Sequence, residues 1–187
     1  MAYDEKFWNK FTENNESNYN EEFAKFIHDL ATSLRCQSVL EVGCNIGNDL
    51  MLFTDTIDVH GIDLNDNAIK KAKEKHPSFK FQKSSVIEIP YPDASMDFVF
   101  THNVLNYVSD EEMPQAVKEL FRVSNKYIIN CESFEENEIS IEKEDTAAKH
   151  RNMLKRWSDF KVRIISHVDM HEEIDPNMPR FTLVKKI

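Results

Sequence analysis

The stretch SVLEVGCNIG, residues 38–47, decides the fold of this chain. Ser38 to Val42 is a short run of β-branched residues and leucine that ends at Gly43, so it reads as a strand delivered into a glycine turn. A helix is expected to start near Ile46 and to carry Leu50, Met51 and Phe53. Glycines let the backbone turn sharply and let a ligand approach peptide N–H groups with no Cβ in the way. Strand, glycine turn and helix in that order open a ligand-binding α/β unit, although glycine turns after strands also serve purely structural ends.

Working outward, Phe23, Phe26, Ile27, Leu30 and Leu34 recur at helical spacing and predict an amphipathic helix over 21–34, ahead of the first strand. Asp58 to Ile62 reads as the second strand. Asn65 or Asp66 then caps a helix through Lys75 that buries Ala68, Ile69 and Ala72 and stops at Pro77. Phe79 to Gln82 is a third strand, and Ile89 to Ala94 a proline-containing connection. Met96 to Thr101 is a fourth strand whose nearly continuous apolar run suits cover on both faces. Asp110 and the acids after it open a helix with Met113, Val117, Leu120 and Phe121, and Tyr127 to Cys131 supplies a fifth strand. Glu132 to Asp145 is acidic and poor in apolar residues, which predicts a loop or mobile cover. A helix over Lys149 to Trp157 follows, and then an antiparallel pair, Lys161 to Val168 with Arg180 to Ile187.

This alternation predicts one domain of 187 residues: an α/β, Rossmann-like three-layer α/β/α sandwich around a mostly parallel seven-strand sheet with an antiparallel late strand. Residues 1–37 form an N-terminal helical cap, 38–131 a cofactor-binding core, and 132–187 the acidic loop, helix and final strand pair. Ligands are expected beyond the carboxyl ends of the strands.

The totals narrow the partners. Lys and Arg number 23 against 33 Asp and Glu, a formal charge of −10 that repels a polyphosphate backbone. Lys70, Lys71, Lys73 and Lys75 scatter around a helix and make no basic patch, so no nucleic acid partner is expected. Cys36, Cys44 and Cys131 follow neither metal nor disulfide spacing and read as small buried hydrophobes of a reducing compartment. The charged start, Met1 to Lys10, lacks the apolar run of a signal peptide, and no stretch approaches the ~20 apolar residues of a membrane span. A cytoplasmic location without a membrane partner is expected. His167, Asp169 and His171 alternate along a late strand but lack a third well-placed ligand, so no metal site is expected.

Asp63 ends the second strand, twenty positions after Gly43, where a carboxylate can accept from both hydroxyls of an adenosine ribose. Nicotinamide enzymes share that geometry, but their fingerprint is G-x-G-x-x-G, and here Asn45 stands between Gly43 and Gly47. Glu41, beside the turn, would repel a pyrophosphate and tolerates a cationic sulfonium amino acid.

The E-V-G-C-N-I-G turn, the G-I-D-L-N segment at 61–65 and the M-D-F-V-F strand at 96–100 resemble, in order and spacing, the motifs of class I S-adenosylmethionine-dependent methyltransferases. The resemblance implies S-adenosyl-L-methionine as cofactor, with Glu41, Gly43, Cys44, Asn45 and Gly47 lining its methionine part. It further implies that Asp63 holds the ribose and that Leu64 lies against the adenine. The family often has an acid after its third strand; this chain has Ser85 there, a weaker acceptor for the adenine amino group, with Val86 next. A narrower resemblance is to the methylases associated with pseudaminic acid biosynthesis. It rests on Asn45 in place of the middle glycine, on ELFRVSNKYII at 119–129, on a looser match of KHRNMLKR at 149–156, and on Phe7-Trp8. His150 and Trp157 depart from the tyrosine-type and acidic residues of that group, and the tail is shorter. This resemblance implies a small-molecule methyl acceptor, a sugar or sugar nucleotide of surface-glycan biosynthesis.

Methyl transfer is an in-line displacement that needs donor and acceptor held in place and water excluded; a base is optional. His102 follows the fourth strand at the ligand edge and is the expected base for a hydroxyl acceptor, if it is not an ordinary hydrogen-bonding loop histidine. Tyr107 falls where the family places a group near the methyl, and Asn103 is in reach of donor or acceptor; packing or capping would equally account for both. Tyr19, ahead of the first helix, is placed to close over the methionine carboxylate, although Trp8, Phe11 and Tyr19 read equally as a hydrophobic lid or core edge. His150, Arg151, Lys155 and Arg156 form the best cationic group for an anionic sugar acceptor; helix-surface charge is their plainer role. The rival expectation from another class is a non-catalytic module that binds S-adenosylmethionine or S-adenosylhomocysteine. Aminopropyl transfer would need an acid pair after the fourth strand, and nicotinamide chemistry a third glycine.

Overall fold

The computed structural model describes residues 5–17, 19–143 and 146–187. The first four residues of the expected cap, and positions 144 and 145 of the expected acidic cover, lie outside them.

Helices α1 (Glu5–Asn15) and α2 (Glu21–Ser33) precede strand β1 (Ser38–Val42). Then come β2 (Asp58–Asp63), α3 (Asp66–Lys75), β3 (Lys80–Lys83), β4 (Met96–His102), a 3-10 turn (Leu105–Tyr107), α4 (Met113–Val123) and β5 (Ser124–Glu132). The chain ends with β6 (Ser140–Lys143), β7 (Thr146–Lys149), α5 (Met153–Trp157), β8 (Val162–Asp169) and β9 (Arg180–Lys186). The main sheet has seven strands in the order β3-β2-β1-β4-β5-β9-β8. β1 to β5 run parallel, and β9 lies antiparallel to both its neighbours, as the two late apolar runs predict.

Side chains alternate across the strands, so each strand feeds two layers. Val39, Val59, Phe98, Phe100 and Ile129 join α2 residues Phe23 and Ile27 on one face. Leu40, Ile62, Val99, Ile128 and Val184 join Met113 and Leu120 of α4 and Trp157 of α5 on the other. Burial of both faces explains why β4 reads as an unbroken apolar run. The helices begin where their caps dictate: Asn20 accepts from the Phe23 amide, Asn65 from the Asn67 amide, and Asn152 from the Lys155 amide.

Three expectations are corrected. The glycine turn is not followed by a helix. Residues 46–53 fold instead as successive tight turns, with Gly47 N–H on Cys44 O at 2.8 Å and Phe53 N–H on Leu50 O at 3.0 Å. Asn45 (φ 46°) and Gly47 (φ 76°) leave right-handed space and interrupt any continuous ladder. The acidic segment after β5 is not a plain loop. It leads into the β6–β7 hairpin, and Glu138 ties it down by pairing with Arg156 and accepting from the Asn152 amide at 2.9 Å. The expected helix over 149–157 shrinks to α5, because Lys149 still belongs to β7 and Asn152 sets the start.

Candidate functional site

Beyond the carboxyl ends of β1, β2 and β4 lies a cavity of about 760 Å³. Residues of α1, the start of α2 and the β8–β9 connection also wall it. Its floor is the turn after β1. Gly43 and Cys44 donate their amides to Ile62 O at 2.7 and 2.9 Å. Gly43 sits at φ 79°, and a Cβ there would lie 2.3 Å from Val104 Cγ2. A side chain is thus refused twice, by conformation and by space.

Asp63 joins the two turns of the floor. Its Oδ2 accepts from the Asn45 amide and its Oδ1 from the Asn65 amide, each at 2.8 Å. Burial pushes its pKa up, and those backbone donors pull the other way. Each carboxylate oxygen keeps a second lone pair for a ligand hydroxyl. Thr12 of α1 closes over the same place, donating to Asn45 Oδ1 at 3.0 Å and accepting from Asn65 Nδ2 at 2.9 Å. Behind Thr12, the Tyr107 ring meets Trp8 and Phe11 edge to face, with centroids at 5.4 and 6.1 Å.

Glu41 points to the α2 side of β1 and is 3% exposed, and its Oε2 has no hydrogen-bond partner. Burial foremost, then the charges of Asp49 and Asp63 and a hydrogen bond with Asp49, raises its pKa well above the carboxylate range. His102 lies next to this group, stacked on Phe23 with centroids 3.7 Å apart. Its Nδ1 is 2.8 Å from Asp49 Oδ2 and its Nε2 2.9 Å from Asp175 Oδ2. Burial disfavours the charged imidazole, but the two carboxylates outweigh it and lift the pKa to about 10. The base expected at His102 is therefore a cation with both ring nitrogens donating, and it ties the turn at Asp49 to the β8–β9 connection. A buried polar chain runs from Trp157 Nε1 through Asn130 and Thr101 to Glu132, which also accepts from the Leu105 amide.

Tyr19, Glu41, Gly43, Cys44, Asn45, Asp63, Leu64, Ser85, Val86, His102, Asn103 and Tyr107 all reach the cavity wall. Gly47 does not: a Cβ on it would meet His76 Cδ2 and Phe81 Cζ at 3.1 Å, so it is a packing glycine between the turn and β3. Asn103 takes φ 53° and donates its amide to Cys131 O at 2.9 Å, which turns the chain out of β4. Asp49, Asp175 and Thr12 sit in no motif and carry no signal in the sequence; Asn65 is visible there only as a helix cap.

The cationic group expected to hold an anionic acceptor is elsewhere. Arg151 is 1% exposed and donates to Leu105 O, Val108 O and Asp110, which fixes the loop after β4. Arg156 pairs with Glu138 and Lys155 with Glu136, while His150 lies 4.0 Å from Glu135. None of the four reaches the wall. His167 bonds Thr182, Asp169 pairs with Arg180, and His171 lies 3.8 Å from Glu173. Among the described residues no three His, Cys, Asp or Glu side chains group as metal ligands. Cys36, Cys44 and Cys131 are free and buried, and no helix among the described residues is long and apolar enough to cross a membrane.

Residues 39–126 match a family described as a methyltransferase domain. A probable S-adenosylmethionine-dependent methyltransferase of Mycolicibacterium smegmatis is 33% identical over 92 residues, covering 48% of this chain and 35% of its own. A phosphatidylethanolamine N-methyltransferase of Cereibacter sphaeroides is 27% identical over 138 residues, 68% of this chain and 66% of its own. Among solved structures, phosphoethanolamine N-methyltransferase 1 of Haemonchus contortus, in complex with phosphoethanolamine and S-adenosylhomocysteine, superposes with a TM-score of 0.73 at 18% identity. That superposition covers 97% of this chain and 48% of the other. The matched region spans 38% and 35% of the full lengths of the first two curated relatives.

Proposed function

We propose that this chain, whose residues 39–126 match a methyltransferase domain, binds S-adenosylmethionine and transfers its methyl group to a small-molecule acceptor. The observation that carries this reading is the pair of carboxylates flanking the Gly43–Asn45 turn: Asp63 with lone pairs to spare and Glu41 with a buried oxygen that lacks a donor. Asp63 would hold the ribose hydroxyls and Glu41 the methionine ammonium. Leu64, Ser85 and Val86 would face the adenine, with Cys44, Asn103 and Tyr19 around the methionine end.

The cofactor supplies a methyl already activated by positive sulfur. The chain's own part is placement. The Gly43 turn permits close approach, α1 and the β8–β9 connection cover the cavity against water, and Tyr107 with Trp8 gives the acceptor side an aromatic wall. His102 keeps its proton and props that cover by joining Asp49 to Asp175. The resemblance to the pseudaminic acid-associated methylases favours a sugar acceptor. The wall admits that reading for a neutral or amino-bearing sugar rather than an acidic one.

Calorimetric titration with S-adenosylmethionine and S-adenosylhomocysteine tests the site. Asp63→Ala should weaken both by tenfold or more, since a lost charge-assisted hydrogen bond costs about 1.5–3 kcal/mol. Equal affinity in the variant rejects the ribose assignment. Tight donor binding with no transfer of labelled methyl to any acceptor would instead favour a binding module.

A further inference from the structure

The cavity wall carries eight Asp and Glu side chains and, among the described residues, neither a lysine nor an arginine. Its cationic group, His102, lies between Asp49 and Asp175 and offsets only one of the two. Glu41 marks the end of the cavity where the cofactor's ammonium would sit. It is 3% exposed, and its Oε2 lacks a donor although it faces a cavity. Leaving a buried oxygen unsatisfied costs about 1–3 kcal/mol, so it marks a place where a donor arrives with a ligand.

The donor's ammonium answers Glu41 and its ribose answers Asp63. Glu21 and Glu22 at the start of α2 and Glu173 in the β8–β9 connection line the remaining space. Trp8, Phe11 and Tyr107 line the same cavity, and aromatic rings attract cations. An anionic acceptor would meet like charge with no counter-ion, a penalty of about 1 kcal/mol per contact at ~4 Å even in water. A cationic acceptor gains by the same terms. A hydroxyl acceptor would want a base, and the imidazole at hand uses both nitrogens as donors.

Building on the methyltransferase reading, we propose that the acceptor is a small organic amine drawn in as its ammonium cation and methylated on nitrogen. The ammonium passes a proton through a rim carboxylate to water. The freed nitrogen lone pair forms the new N–C bond as the S–C bond breaks, and sulfur keeps the bonding pair. The positive charge then sits on the methylated nitrogen until a further proton leaves to water.

The test uses the full chain saturated with S-adenosylhomocysteine and three probes of matched size: benzylamine, benzyl alcohol and benzoate. Each is titrated by ligand-observed nuclear magnetic resonance at low salt, where surface charge is least screened. Benzylamine should bind at least about tenfold tighter than benzyl alcohol, with benzoate weakest. The amine's advantage should fall threefold or more in the combined Glu21→Gln, Glu22→Gln, Glu173→Gln variant. The proposal is overturned if the alcohol or the carboxylate binds as tightly as the amine, if benzylamine fails to bind at about 10 mM, or if the variant keeps the full preference. Saturation by S-adenosylhomocysteine is recorded in the same samples. Its absence would remove the methyltransferase reading itself, whereas its presence without the charge order removes only the amine.

Discussion

A buried imidazole held between two carboxylates should make the protein lose stability as the solution turns alkaline. His102 has its pKa lifted to about 10 by Asp49 and Asp175, against the ~6.5 of an unfolded chain. A raised folded pKa means that the native state binds the proton more tightly. The resulting stabilisation is fully present below about pH 6.5 and is lost as pH rises through about 10. The whole interval corresponds to a few kcal/mol, with a slope near 1.4 kcal/mol per pH unit while the native imidazole stays charged and the unfolded one does not. Glu132 also titrates nearby, held at about 7 chiefly by burial, so the cleanest window lies above pH 8. Urea unfolding of the parent and of His102→Gln, from pH 8 to 9.5, should show the gap between them narrowing by about 2 kcal/mol. The ring protons of His102 should likewise stay at their charged position through pH 8. Parallel stability curves, or a ring that titrates near pH 6.5, would refute the reasoning and restore His102 as a candidate base.

Three other perturbations probe the frame of the site. Gly43→Ala sets a Cβ 2.3 Å from Val104 at φ 79° and should cost about 1–3 kcal/mol in urea unfolding and abolish cofactor binding. Adding Val104→Ala should recover only the steric share of that loss. Thr12→Val removes the hydroxyl shared by Asn45 and Asn65, and should weaken S-adenosylhomocysteine severalfold and speed amide exchange in α1 while the unfolding midpoint moves little. Arg151→Met strips the donors from Leu105 O and Val108 O and should cost about 3–5 kcal/mol by thermal unfolding, because buried acceptors are left bare.

The parts of this molecule that local physics governs were legible in the sequence. β4 announced itself because a strand covered on both faces must be apolar throughout, and α3 because Asn65 caps it and Pro77 follows it. The turn at Gly43 and the acid at Asp63 were visible for a similar reason: the chain can bring a strand end to a ligand in few ways. The missing helix after Gly47 shows where local reading stops. Leu50 and Phe53 are buried as helical spacing would have them, yet positive φ at Asn45 and Gly47 reaches the same burial through turns.

What distant partners decide could not be read. Arg151 sits in KHRNMLKR, which looks like a solvated helix face, and is buried only because the carbonyls of Leu105 and Val108, 46 and 43 positions away, await it. His102 was found at the right strand end, but its two carboxylate partners were out of sight, because Asp49 and Asp175 lie 53 and 73 positions from it. Strand order fixes where chemistry can happen, and that much follows from periodicity. The charge of a group such as His102 is a property of the closed fold, set by carboxylates that two separate connections deliver to it. The same two acids join the turn after β1 to the β8–β9 connection, so one long-range arrangement bears both on the imidazole's proton and on how the cover is held.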